Sequence, residues 1–118
     1  MRKVVYEDDY QDFAKEMVEF VSRFNNAECV TFNNPLEALS YLLENQDVDI
    51  LITDYEMPQM NGFELAQQLI EKDCKVRIIV SSGHDVRTLE NIRKQYGLDG
   101  KIEINTKTNI EFLKKLYN

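Results

Sequence analysis

An α/β fold, with a parallel sheet covered by helices on both faces, is the class this sequence predicts. Two observations carry it. Stretches of strand length and stretches of helical period alternate five times along 118 residues, with short connections and neither linker nor repeat. One of them, Ile50-Leu51-Ile52-Thr53-Asp54, is a run of branched apolar residues bounded by turn signals, the pattern of a strand buried on both faces. The chain reads as one domain over residues 1–118.

Val4 to Glu7 is the first strand, ending in the acidic run Glu7-Asp8-Asp9. From Asp12 the period changes. Phe13, Met17, Phe20 or Val21, and Phe24 recur at helical spacing, so a helix runs to about Asn25. Glu28 to Phe32 alternates as a second strand, whose Glu and Thr suit an edge or half-exposed place. Asn34 caps the next helix and Pro35 fits its first turn, where a missing N–H is harmless. Leu36, Leu39, Leu42 and Leu43 are its expected inner stripe, and it ends near Gln46.

Val48 to Asp54 is the third strand, followed by the Met57-Pro58 loop and a helix opened by Asn61 or Gly62. That helix carries Phe63, Leu65, Ala66, Leu69 and Ile70. Val76 to Ser81 is a strongly apolar fourth strand, followed by the small-residue loop Ser81-Ser82-Gly83-His84-Asp85. Val86 to Tyr96 reads as a more polar helix stopped at Gly97. Ile102 and Ile104 mark a weak fifth strand. Asn105 to Asn109 is expected as a polar loop, and Ile110 to Tyr117 as the last helix.

Lys+Arg of 14 against Asp+Glu of 21 gives a net charge of −7, and no basic run exceeds two residues. Nucleic acid and anionic membrane surfaces are therefore poor partners. Cys29 and Cys74 have neither CxxC spacing nor a neighbouring histidine, as expected of reduced thiols in a cytoplasmic protein. No apolar run approaches membrane-spanning length, and acidic residues arrive too early for a signal peptide.

Crossovers of one hand put every strand-to-helix loop on the same edge of such a sheet. The acidic run, Asp54, Ser81-Ser82 and Lys107 should share that edge. Crowded carboxylates resist full ionisation unless a cation joins them. Oxygen-only ligation, with positions left for water and phosphate, suits Mg²⁺ better than zinc. A carboxylate can itself take a phosphoryl group as an acyl phosphate, with the metal, a lysine and a hydroxyl stabilising the phosphoryl oxygens.

These residues carry a resemblance. The acidic pair after the first strand, Asp54 with Met57-Pro58 and Asn61-Gly62, the Ser82-Gly83 step and a terminal lysine are motif residues. On them the chain resembles, over nearly its whole length, the receiver domain of bacterial two-component response regulators. Asp-x-x-Met-Pro-x-x-Asn-Gly is the most specific element. The resemblance implies a flavodoxin-like (βα)5 fold of strand order 2-1-3-4-5, which puts strands one and three side by side.

Position by position, it implies that Asp54 is the phosphoryl acceptor. Asp8, Asp9, Asp54 and the backbone carbonyl of Glu56 are the implied ligands of Mg²⁺. Two registers of the acidic pair compete: the helical stripe from Phe13 favours Asp8-Asp9, and Glu7-Asp8 is the alternative. Ser82 takes the hydroxyl role, and Lys107 is the candidate active-site lysine, although Thr108 follows it where the family has proline. Without that proline a trans Lys107–Thr108 bond is expected. The family's aromatic on the fifth strand is absent here. Glu56 and His84 match sites flanking the path of the hydrolytic water, so they are expected to modulate phosphoryl lifetime.

The function so implied is a cytoplasmic signalling switch that catalyses only its own phosphoryl transfer. A sensor histidine kinase or phosphotransfer protein is its donor, and phosphorylation shifts surfaces around the last two helices and can be linked to a dimer. Two competing readings are a receiver that binds partners without phosphorylation and a small phosphatase with Asp54 as nucleophile. Asp54-Tyr55-Glu56 bears a faint likeness to the Asp-x-Asp of haloacid-dehalogenase-like enzymes, but the chain is short for their core.

Overall fold

A computed structural model describes residues 1–83 and 85–118 of the chain. Its elements run β1 (Lys3–Glu7), α1 (Gln11–Asn25), β2 (Glu28–Phe32), α2 (Pro35–Glu44), β3 (Ile50–Asp54) and α3 (Gly62–Glu71). They continue as β4 (Arg77–Ser82), α4 (Val86–Gln95), β5 (Glu103–Thr106) and α5 (Ile110–Lys114). All strand pairs are parallel, in the order β2-β1-β3-β4-β5, the flavodoxin-like order expected. β3 lies at the centre and every one of its residues is buried, whereas the edge strand β2 is only partly covered.

Alternation along the strands divides the core in two. Val5, Leu51, Ile78 and Val80 face one side, where they pack with Leu42 of α2, Phe63 and Leu69 of α3, and Leu89 of α4. Val4, Tyr6, Ile50, Ile52 and Ile79 face the other, against Ala14 and Val21 of α1 and Leu113 and Leu116 near the C-terminus. Both faces are therefore covered.

The helix signals act as the sequence suggests. The Asn34 side chain accepts from the backbone N–H groups of Leu36 and Glu37. Asn61 and Glu64 form a reciprocal capping box at the start of α3. Gly97 has φ +70°, the left-handed turn that stops α4.

Three expectations need correction. Leu36 is 47% exposed, because the buried arc of α2 is Pro35, Ala38 and Leu42, with Leu39 and Leu43 at its margins. β5 includes Asn105 and Thr106, which were expected in a loop. They pair with Ser81 and Ser82, and this ladder outweighs the weak strand preference of asparagine. Finally, α5 stops at Lys114, and buried Asn25 holds the segment after it. Its amide donates to the carbonyl of Leu113 and its oxygen accepts from the N–H of Leu116, at 2.7 and 3.0 Å.

Candidate functional site

The sheet register decides which side chains meet at the carboxyl edge. Ile52 and Tyr6 face α1 and α5, so Asp54 and Asp8, each two residues further on, face the same way. They sit side by side, one step beyond the paired Glu7 and Thr53. One carboxylate oxygen each from Asp8, Asp9 and Asp54 comes within 4.8 Å of the others. Asp8 and Asp54 are buried and Asp9 is exposed.

Lys107 follows directly on β5. Its N–H donates to the carbonyl of Ser82, which extends the ladder by one residue and sends the side chain over the acidic pair. Lys107 Nζ lies 3.1 Å from Asp8 Oδ2 and 3.3 Å from Asp54 Oδ2. Burial works against the ammonium, but the two carboxylates outweigh it and raise its pKa. Burial also raises the pKa of Asp54, as does the negative charge of Asp8, while Lys107 opposes both. The Lys107–Thr108 bond is trans, as are all peptide bonds among the described residues.

Glu7 belongs to the other face. Its carboxylate accepts from Thr53 Oγ1 at 3.0 Å, and Oε2 is buried without a partner. Burial above all, with Asp8, Asp54 and Asp9 adding charge, pushes it up to about 8 against the hydrogen bond from Thr53. The oxygens brought together are thus those of the Asp8-Asp9 register. The register also pairs Asp54 with Ser81, so Ser81 shares its face. Ser82 nevertheless lines the cleft above Asp54, at the strand's end. Both serines are buried.

The loop after Asp54 is shaped by backbone bonds. Tyr55 N–H donates to the Ser81 carbonyl, and Gly62 N–H returns to the Tyr55 carbonyl at 2.9 Å. A Cβ on Gly62 would stand 2.5 Å from the Asp54 carbonyl oxygen, so only glycine lets α3 begin this close to the strand. Glu56, Met57 and Pro58 then wall a cleft of about 630 Å³, with Asp54, Ser82 and Lys107 inside it. His84 lies outside the described residues.

Two contributors were not read from the sequence. Thr53 holds Glu7 away from the cluster, and only the register reveals it. Tyr10, 69% exposed, lines the cleft beside Asp9, and its ring lies 5.9 Å from Lys107 Nζ. An aromatic directly after the acidic run was the available signal.

Three carboxylates against one ammonium, offering only oxygen donors, fit a hard divalent cation such as Mg²⁺. No helix among the described residues is long and apolar enough to cross a membrane.

Comparison with known proteins agrees with this geometry. The family model for the response regulator receiver domain matches residues 4–109. Over 107 residues the chain is 31% identical to the transcriptional regulatory protein NatR of Bacillus subtilis, covering 84% of this chain and 46% of that protein. It is 31% identical over 67 residues to a chemotaxis protein CheY homolog of Campylobacter jejuni, covering 57% of this chain and 52% of that one. The chain thus spans about half the length of the curated relatives it matches. The NarL receiver domain of Mycobacterium tuberculosis has the same fold, with a TM-score of 0.83 at 23% identity over 98% of this chain and 91% of that one. CheY4 of Vibrio cholerae gives 0.78 at 25% identity over 98% and 95%. With an acidic cluster and a lysine converging on the carboxyl end of its central strand, the chain belongs to the response regulator receiver domains of two-component signalling.

Proposed function

We propose that this receiver is a switch operated by phosphorylation of Asp54, with a histidine kinase or phosphotransfer protein as the donor. The observation that carries this reading is the place of Lys107, 3.1 Å from Asp8 and 3.3 Å from Asp54, at the floor of an open cleft. Asp54 is the nucleophile: its carboxylate oxygen forms the P–O bond as the donor's bond to phosphorus breaks. Lys107 and the Ser82 hydroxyl bind phosphoryl oxygens. Asp8, Asp9, Asp54 and the Glu56 carbonyl would hold Mg²⁺, which when bound neutralises charge on the transferring group. Glu56, at the cleft wall, influences the approach of water and hence the lifetime of the acyl phosphate.

The output surface includes α4. Its single buried residue is Leu89, so few apolar contacts fix it and a small change of charge can shift its position. The place of Lys107 weighs against an interaction module indifferent to phosphorylation.

The test is incubation with Mg²⁺ and acetyl phosphate, followed by intact mass, together with titration by beryllofluoride. Addition of one phosphoryl group to the parent and none to Asp54→Asn is expected. Equal labelling of the two proteins would remove Asp54 from its role.

A further inference from the structure

Phosphoryl transfer to Asp54 fixes where the leaving group must stand. The phosphorus lies between the attacking oxygen and the leaving atom, roughly in line, so the leaving group occupies the mouth of the cleft. Among the described residues lining that cleft, Tyr10 is the one aromatic. It is 69% exposed, and it is the one exposed large hydrophobic side chain that lines the cleft. Its backbone is nevertheless held: Tyr10 N–H donates to Asp8 Oδ1 at 2.9 Å, and its carbonyl accepts from Ala14 N–H at 2.9 Å. An exposed ring on a fixed backbone, lining the acceptor's cleft, offers a flat contact at its mouth.

The chemistry of the surroundings says what that face accepts. The electron-rich face of a tyrosine ring attracts a cation and offers nothing to an anion. The Tyr10 ring already faces a cation, Lys107 Nζ at 5.9 Å from its centroid. Resting on the phosphoryl-transfer reading above, we infer that Tyr10 is a donor-specificity residue whose face receives the planar donor ring of an N-phosphorylated imidazole, which is positively charged until the P–N bond breaks. The P–O bond to Asp54 forms as the P–N bond breaks, and the electron pair returns to the ring nitrogen. Because the other ring nitrogen already carries a proton, the ring departs as neutral imidazole. Acetyl phosphate, which leaves as an acetate anion, gains nothing from the same face.

The experiment compares two small donors on one protein. Rates of phosphorylation by monophosphoimidazole and by acetyl phosphate are measured by intact mass, with saturating Mg²⁺, for the parent, Tyr10→Phe and Tyr10→Leu. The readout is the ratio of the two rates. Displacement of Lys107 or of the acidic pair slows both donors alike and leaves the ratio where it was. In Tyr10→Leu the ratio of monophosphoimidazole to acetyl phosphate is expected to fall about two- to fivefold, the size of an exposed cation–π contact. Tyr10→Phe, which keeps the face, is expected to keep the ratio. An unmoved ratio in Tyr10→Leu, with both donors active, overturns this inference alone, as does an equal fall in Tyr10→Phe. Failure of both donors to phosphorylate the parent overturns the proposed function and this inference together.

Discussion

Glu7 gives the structure a measurable dependence on pH. Its carboxyl is fully buried, and its pKa is pushed up to about 8, first by burial and then by Asp8, Asp54 and Asp9. In the unfolded chain it titrates near its ordinary value of 4.5. Between those values the folded state binds more protons than the unfolded one, so this group's contribution is fully present below about pH 4.5 and lost as pH rises through about 8. Three to four units at about 1.4 kcal/mol each set a ceiling of about 5 kcal/mol across the window. Glu7→Gln keeps an acceptor for Thr53 and cannot ionise. Its stability relative to the parent should therefore climb with pH across that window, by about 2–5 kcal/mol in all. Urea unfolding at a series of pH values measures this difference, and the Glu7 carboxyl carbon followed by NMR measures the titration itself. Mg²⁺ at the aspartates would reduce the charge share of the shift and leave the burial share. A difference between Glu7→Gln and parent that is constant with pH would refute the reasoning, because it would mean that Glu7 titrates alike in both states.

Three other perturbations follow from contacts in the structure. Lys107→Ala leaves buried Asp8 without its ammonium, so the metal-free protein should lose about 2–3 kcal/mol in urea unfolding; Mg²⁺, no longer sharing the site with that ammonium, should bind more tightly by calorimetry. Gly62→Ala drives a Cβ into the Asp54 carbonyl and should cost about 1–3 kcal/mol while slowing phosphorylation, and a stability within about 0.5 kcal/mol of the parent would remove the steric argument. Asn25→Ala strands the Leu113 carbonyl and the Leu116 N–H and should cost about 3 kcal/mol, with faster hydrogen exchange concentrated near α5.

The readable part of this fold lay where one residue type has one physical use. Ile50 to Ile52 could only be a buried strand, Asn34-Pro35 a helix start, and Gly97 a helix stop. Asp54 followed, because a carboxylate after such a strand falls on the ligand-binding edge. The unreadable part depended on partners distant in sequence. Asn105 and Thr106 extend β5 because Ser81 and Ser82 offer a ladder, and nothing within 101–109 announces it. Lys107 is placed by that same extension. In the acidic run Glu7-Asp8-Asp9, composition alone does not say which carboxylates meet. The alternation of β1 sends Glu7 to Thr53 and Asp8 to Asp54. Leu36 misled for a related reason: apolar spacing in α2 fits two neighbouring arcs, and the sheet selects the one through Ala38 and Leu42.

The same register explains why the site is poised to respond. A stable fold would put few acidic groups at the buried end of a sheet, yet here Glu7, Asp8 and Asp54 stand together there, all nearly inaccessible. Both Glu7 and Asp54 are pushed toward their protonated forms, which is the electrostatic measure of that crowding. One ammonium offsets only part of it, and Lys107 reaches the cluster from the end of β5, the strand beside the loosely held α4. Any group that changes the charge at Asp54 must change the pull on Lys107, and Lys107 is hydrogen-bonded through its backbone to Ser82. A charge event at one strand end is thereby linked through Ser82 to β4 and β5, and the helix between them, α4, has a single buried residue, Leu89, with which to resist.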